Sequence, residues 1–236
     1  MNIAFIRIFR KKNERIGESE CRCSLSGRFA VGAGYNFYQS RCEANLVYRE
    51  VCAVRGEKLL VLLPDGSRVW LNADSKLTYP EQFAKYNRDV TLEGEAYFEI
   101  AKNKKSPFQV FAENVKIQVT GTCFNVKAYP SDKVIKTTLD EGSINIGHVQ
   151  SRRPMQQMLP GQTAVYEKRS NVIKIKTDRY HDDASSWKGN QLTFRNASLK
   201  EVLTTLQRHF DIEIAVKNEK IASFTYNFVC KGNDLN

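Results

Sequence analysis

From about residue 46 the chain alternates apolar and polar positions over short runs, and glycine-containing turns separate the runs. A period of two is the mark of half-buried strands. Leu59–Leu63 leads into Pro64-Asp65-Gly66-Ser67 and the chain returns as Arg68–Leu71. This predicts a hairpin, because the glycine of Asp-Gly readily takes the positive φ of a tight reversal. Val90–Leu92 and Ala96–Ile100 flank Glu93-Gly94, and Phe108–Phe111 and Val115–Val119 flank Glu113-Asn114. Thr120-Gly121-Thr122 precedes Phe124–Val126, Val134–Leu139 runs through Glu141-Gly142 into Ile144–Ile146, and Pro160-Gly161 precedes Ala164–Tyr166. The turn glycines at 66, 94, 121, 142 and 161 are spaced 28, 27, 21 and 19 residues apart, a loose repeat of strand, turn and strand. The pattern predicts a mainly β domain over 46–180, built as a stacked-hairpin sandwich or a short solenoid-like stack.

The periodicity changes near residue 181. His181–Ser186 is polar, so 181–189 reads as a linker. Leu192-Thr193-Phe194 predicts a short strand, and Leu199, Val202, Leu203, Leu206 and Phe210 fall at helical spacing. Ser198 and Glu201 match a capping box, with Asn196 as a rival N-cap. Ile212, Ile214 and Val216 alternate as a second strand, and Phe224, Tyr226 and Phe228 as a third. Residues 190–236 therefore read as a small βαββ module. One apolar helix face on so small a sheet needs further cover, so the module is expected to be incomplete, or completed by a partner.

Residues 1–45 show neither period, and Gly27, Gly32 and Gly34 cluster there. This head is expected to be poorly ordered or foreign to the fold. The net charge of +10 raises the prospect of a nucleic-acid or other polyanion partner. Its distribution lowers that prospect. Residues 1–45 hold 8 basic and 4 acidic side chains, 46–180 hold 21 and 15 with interleaved signs, and 181–236 hold 7 of each. A nucleic-acid surface wants a basic face without acids among its contacts, so no nucleic acid is expected.

No run approaches the roughly 20 apolar residues of a membrane helix. The apolar Met1–Ile6 precedes its charges (Arg7, Arg10, Lys11, Lys12), the reverse of a secretory signal. The six cysteines (21, 23, 42, 52, 123 and 230) lack zinc spacing, and His148, His181 and His209 are far apart, so no metal or cofactor is expected. Glu93, Glu95 and Glu99 invite a glycosidase reading, but on one strand they read more simply as its polar face opposite Ala96, Phe98 and Ile100. The aromatics, Trp70 and Tyr97 among them, could stack sugars or bases, yet they alternate as core positions do. The residues thus favour interaction over catalysis, with a glycan- or polyanion-binding β domain as the alternative.

Six segments carry a family likeness. Leu63-Pro64-Asp65-Gly66-Ser67-Arg68-Val69-Trp70-Leu71-Asn72-Ala73 closely resembles the L-P-D-G-S-x-V-x-L-N-A signature of FecR-type anti-sigma regulators. Arg88–Ile100 resembles R-x-V-x-L-x-G-E-A-Y-F-E-V, Pro107–Val110 resembles P-F-x-V, and Val119–Val126 resembles V-x-G-T-x-F-N-V. Glu141-Gly142-Ser143-Ile144 and Leu159-Pro160-Gly161-Gln162 complete the series. Trp187-Lys188-Gly189 through Phe194-Arg195-Asn196 resembles the start of the C-terminal domain of Bacteroidetes-type members.

The resemblance implies an inner-membrane signalling protein. A cytoplasmic domain would hold an extracytoplasmic-function sigma factor, and a single membrane helix would follow. The periplasmic part would contact the N-terminal signalling domain of a TonB-dependent outer-membrane receptor, whose ligands are iron chelates in some systems and glycans in others. Residues 1–45 match neither the sigma-binding helices nor the membrane helix, as expected of a fragment, an altered start or a disrupted reading frame. The resemblance places Asp65, Gly66, Ser67, Gly94, Glu95, Gly121, Thr122, Gly142 and Gly161 in structural turn motifs, with the glycines where strands reverse. The expected receptor contact is a sheet edge at Phe224, Thr225, Tyr226, Asn227 and Phe228.

Overall fold

The computed structural model describes residues 5–10, 47–83, 87–151, 153–216 and 224–231, with backbone alone for 5–10. Most of the expected head therefore lies outside the described residues. Two sheets share one long strand. The first sheet runs β1 (Phe5–Arg10), β2 (Val47–Ala53), β5 (Ser75–Pro80), the N-terminal half of β6 (Arg88–Glu99), β7 (Phe108–Ala112), β8 (Val115–Val119), β11 (Ile144–His148) and β12 (Gln156–Met158). The second runs β3 (Leu59–Leu62), β4 (Arg68–Leu71), the C-terminal half of β6, β9 (Cys123–Ala128), β10 (Val134–Glu141), β13 (Gln162–Glu167) and β14 (Val172–Thr177). Neighbours are antiparallel, apart from the parallel pair of β6 and β7. Of the two expected arrangements, the chain takes the sandwich.

The alternation has its usual physical consequence. Val90, Leu92, Phe108, Val110 and Ile117 of the first sheet meet Val69, Leu71, Phe98, Phe124 and Leu139 of the second in one core, all 2% exposed or less. Phe98 stacks on Phe124 with centroids 4.9 Å apart and meets Phe108 edge-on at 6.3 Å. The expected reversal at Gly94 is corrected. Residues 88–99 form one continuous strand, and Gly94 is the point where it passes from the first sheet to the second. Its φ is +107°, and an added Cβ would lie 2.3 Å from Ser75 Oγ and 2.7 Å from Ser75 Cα. Only glycine meets both demands.

The expected linker is also corrected. His181–Gly189 is a 3-10 helix that buries Trp187. β15 (Gln191–Ser198) and β16 (Thr225–Lys231) pair antiparallel, and α1 (Leu199–Phe210) lies between them in the chain. Ser198 is the N-cap, its Oγ accepting from Glu201 N–H at 3.2 Å. The expected strand at Ile212–Val216 does not form. Ile212 and Val216 are well exposed, so their alternation has no surface to pack on.

The cover that the module was expected to lack comes from the sandwich. Leu192, Phe194, Ala197 and Val202 bury themselves with Tyr97 and Trp187, and Trp70, Cys123, Leu206, Phe210, Tyr226 and Cys230 pack around them. Trp70, Tyr97 and Cys123 belong to the outer face of the second sheet. The module therefore completes its core on that face.

Candidate functional site

The LPDGS turn and the start of β6 form one buried ion-pair network. Ser67 N–H donates to Asp65 Oδ1 at 2.9 Å and Ser67 Oγ–H to Oδ2 at 2.8 Å. Arg88 Nη1 donates to the same Oδ2 at 3.0 Å, with 2% and 7% of the two side chains exposed. The guanidinium also donates to the carbonyls of Ala101, Asn103 and Ser106, and Ser67 Oγ accepts from Ala101 N–H at 3.0 Å. These residues tie the β3–β4 turn to the 101–106 loop, as a structural motif would. Gly66, Gly121, Gly142 and Gly161 each take a positive φ in the connections. Thr122 Oγ1 donates to Ser143 O at 3.0 Å, joining two of those connections.

The second network lies where the module meets the sandwich. Asn72 follows β4, Glu95 follows Gly94 on β6, and Asn125 stands on β9 diagonally across from Glu95. Asn72 Nδ2 donates to Glu95 Oε2 at 2.9 Å, and Asn125 Nδ2 to Oε1 at 3.0 Å. Asn125 Oδ1 in turn accepts from the indole N–H of Trp187 at 3.1 Å. Glu95, Asn72 and Asn125 are all buried. The reading of Glu95 as part of a half-exposed polar face is therefore corrected, since the module covers it. Glu93 pairs instead with Lys76 at 2.9 Å, and Glu99 with Arg68 at 2.5 Å. The three glutamates serve separate partners and do not form a carboxylate pair across a shared space.

Two further anchors flank this network. Lys188 Nζ sits 3.2 Å from the centroid of the Tyr97 ring and 5.0 Å from that of Trp70. Lys58 Nζ donates to Trp187 O at 2.5 Å and Asn190 Oδ1 at 2.6 Å. Burial pushes both ammonium pKa values down and the Tyr97 hydroxyl up. At the far end of α1, the Arg208 guanidinium lies 3.6 Å from the Tyr129 ring centroid and donates to Ser131 Oγ at 2.7 Å and Asp132 Oδ1 at 3.3 Å. Gly56 N–H donates to Arg208 O at 2.8 Å. A cleft of about 390 Å³ remains between sheet and module, with Lys127, Lys136, Asp178, Asp183, Arg195 and Glu201 on its walls. Among its charges Lys136 pairs with Glu201 at 3.4 Å and Arg195 with Asp183.

Sequence reasoning gave no role to Asn72, Asn125, Trp187, Lys188 or Arg208. Phe124, Asn125 and Val126 are all buried, as on a strand covered on both faces, but their apolar–polar–apolar order reads as ordinary alternation and carried no signal of it. The expected partner strand, Phe224 to Phe228, lies largely in β16. Phe224 is 60% exposed, Phe228 40% and Val229 50%. The Phe228 ring packs against Phe194 at 4.8 Å, so that residue bridges the module core and the surface.

Two family models match the chain, "FecR protein" over residues 50–145 and "FecR, C-terminal" over residues 191–236. A 1.65 Å crystal structure of a Parabacteroides distasonis ATCC 8503 protein, described as an anti-sigma factor, matches with a TM-score of 0.72 at 26% identity, over 79% of this chain and 86% of that one. A 2.50 Å structure of the same description matches with a TM-score of 0.71 at 26% identity, over 78% and 84%. No curated protein sequence matches.

Proposed function

The chain belongs to the FecR-type anti-sigma factors, and from that membership we propose that it is the sensing part of a relay between a TonB-dependent outer-membrane receptor and an extracytoplasmic-function sigma factor. Its role is regulatory. In the proposed relay the described residues work at the periplasmic face of the inner membrane, and β16 of the C-terminal module receives the N-terminal signalling domain of the receptor. The observation that carries this reading is the exposure of Phe224, Phe228 and Val229 along β16, while Leu192, Phe194 and Ala197 of its partner strand are buried. An edge strand with apolar side chains is a template for a partner strand. Among the described residues no helix is long and apolar enough to cross a membrane, and the sigma-binding part of the relay is assigned to no residue here.

The test is calorimetric titration of the full chain with the signalling domain of the receptor encoded beside it. Binding is expected. Asn227→Pro, which removes a strand N–H, and Val229→Asp, which charges the apolar surface, should each weaken it at least about tenfold, or about 1.4 kcal/mol. No heat of binding, or full affinity in both variants, overturns the proposal.

A further inference from the structure

The cleft between the second sheet and the module has a floor made by one row of side chains across three strands. Asn125 on β9 pairs with Thr138 on β10, and Thr138 with Thr163 on β13, so the three share the outer face of the sheet. All three are buried. The module adds further lining through Gln191 and Thr193 of β15 and Thr205 of α1. Tyr180 also lines the cleft. It is 52% exposed, and the Arg195 guanidinium lies 3.9 Å from its ring centroid. The volume of about 390 Å³ falls within the range of about 300–1,000 Å³ typical of small-molecule sites.

The direction of the hydrogen bonds sets what this floor can take. Thr163 Oγ1–H donates to Asp178 Oδ2 at 3.3 Å, which uses its single hydroxyl proton. The 3.1 Å contact between the two threonine hydroxyls is then donated by Thr138. Thr138 Oγ1 keeps acceptor capacity that no donor among the described residues fills, although the residue is only 4% exposed. On the module side, Gln191 Nε2 donates to Thr193 Oγ1 at 3.4 Å, so the Thr193 hydroxyl proton is free to donate. The Thr205 side chain has no hydrogen-bond partner among the described residues. Charge cancels across the lining: Lys127, Lys136, Lys176 and Arg195 are matched by four carboxylate side chains. An ion of either sign therefore finds no net attraction. A neutral molecule with several hydroxyls, each able to donate and accept, and with a C–H face for an aromatic ring, meets all of these conditions.

We infer that this cleft binds a neutral saccharide, with Thr138 accepting from one ligand hydroxyl, Thr193 donating to another and Tyr180 offering its ring. Such a ligand touches sandwich and module at once, so it favours the docked arrangement over a lifted one. The site is separate from the exposed residues of β16, so its test does not depend on the receptor.

Calorimetry on the full chain with glucose, galactose, mannose and maltose, and with the charged relatives glucuronate and glucosamine, tests the inference. At least one neutral sugar is expected to bind with Kd of about 1 mM or tighter, and the charged relatives more weakly than that sugar. Thr138→Val, which removes the open acceptor, should weaken the bound sugar at least about threefold, and Thr138→Ser should restore it. Tyr180→Ala, at an exposed position that leaves the fold intact, should weaken it at least as much. Leu62→Ser, exposed and outside the lining, should bind as the unaltered chain does. The inference is overturned if no neutral sugar binds at about 20 mM, in which case the cleft holds water only. It is equally overturned if glucuronate or glucosamine binds more tightly than every neutral sugar, or if Thr138→Val or Tyr180→Ala binds unchanged.

Discussion

Breaking the Arg88–Asp65 pair should be among the most costly single changes in the sandwich. Arg88 is 1% exposed and spends its donors on Asp65 Oδ2 and the carbonyls of Ala101, Asn103 and Ser106. Arg88→Ala leaves Asp65 as a buried charge held only by Ser67, and strips the 101–106 loop of its donor. Removing one partner of a buried pair costs about 3–5 kcal/mol, chiefly through the charge left behind. For a domain of this size each kcal/mol lowers Tm by about 2–4 °C, so a fall of about 6–20 °C is expected. Asp65→Ala should cost a similar amount, because it leaves the guanidinium buried. The double variant removes both charges, so its cost should fall well short of the sum, with a coupling of at least about 1 kcal/mol. Urea unfolding of the four proteins, followed by circular dichroism, measures the cycle. Single losses under about 1 kcal/mol, or strict additivity, would refute the claim that the motif is conformational glue.

Two of the motif glycines should part company. Gly94→Ala meets Ser75 at 2.3 Å at a positive φ and should cost more than about 2 kcal/mol, whereas Gly66→Ala at φ +84° meets nothing within 4 Å and should cost only the left-handed penalty of about 1–2 kcal/mol. Equal urea midpoints would contradict this. Trp187→Phe keeps the apolar contact but leaves Asn125 Oδ1 buried without its donor, so about 1–3 kcal/mol should be lost, and a loss under about 0.5 kcal/mol would show the indole bond to be idle. The His209 imidazole is held at a pKa of about 4, below its ordinary 6.5, first by burial and then by Lys58. The unfolded chain therefore takes up the proton first: this contribution to stability is full above about pH 6.5 and is lost as pH falls towards 4. It is at most about 3 kcal/mol, reduced by the partial exposure of the ring, and His209→Gln should flatten the stability curve between pH 6.5 and 5, where parallel curves would speak against it.

Much of the β architecture could be read from alternation, because a strand with one buried face writes its period into the sequence. The hairpin at Leu59–Leu71 and the helix capped by Ser198 follow local rules that hold in the structure. The failures share one cause. Gly94 looked like a reversal because glycine also serves strands that bend, and nothing local distinguishes a turn from a strand passing between sheets. Ile212–Val216 alternates without a surface to bury it. Glu95 looked like part of a polar face because Trp187 and the module that cover it arrive some 90 residues later in the chain. His181–Gly189 looked like a linker because a single residue, Trp187, carries its burial.

That late-arriving cover also constrains how a receptor contact could be passed on. Trp187, Lys188, Lys58 and Arg208 hold the module to the second sheet, and lifting it would leave Asn125, the Trp187 carbonyl and Asp132 without these donors. Lifting exposes these groups to water, so each hydrogen bond contributes only about 0.5–1.5 kcal/mol net, but Trp187, Leu192 and Phe194 lose apolar burial worth about 1.5–3 kcal/mol per large side chain, and the docked arrangement is favoured by several kcal/mol. A ligand that binds docked and lifted modules equally shifts nothing, and reversing a 99:1 population requires a differential of about 5.5 kcal/mol. Phe224 and Val229 take part in none of these anchors, so a receptor domain that touches only them gains no such differential. On that contact the module and the sandwich respond as one body, and the signal is positional. A relay that separates them would require the receptor to claim surface buried on docking, such as Leu192 and Phe194. Hydrogen exchange of the Trp187 indole and the Asn125 amide, with and without the bound signalling domain, decides between the two. Unchanged protection is expected, and deprotection of both sites on binding would refute the one-body relay.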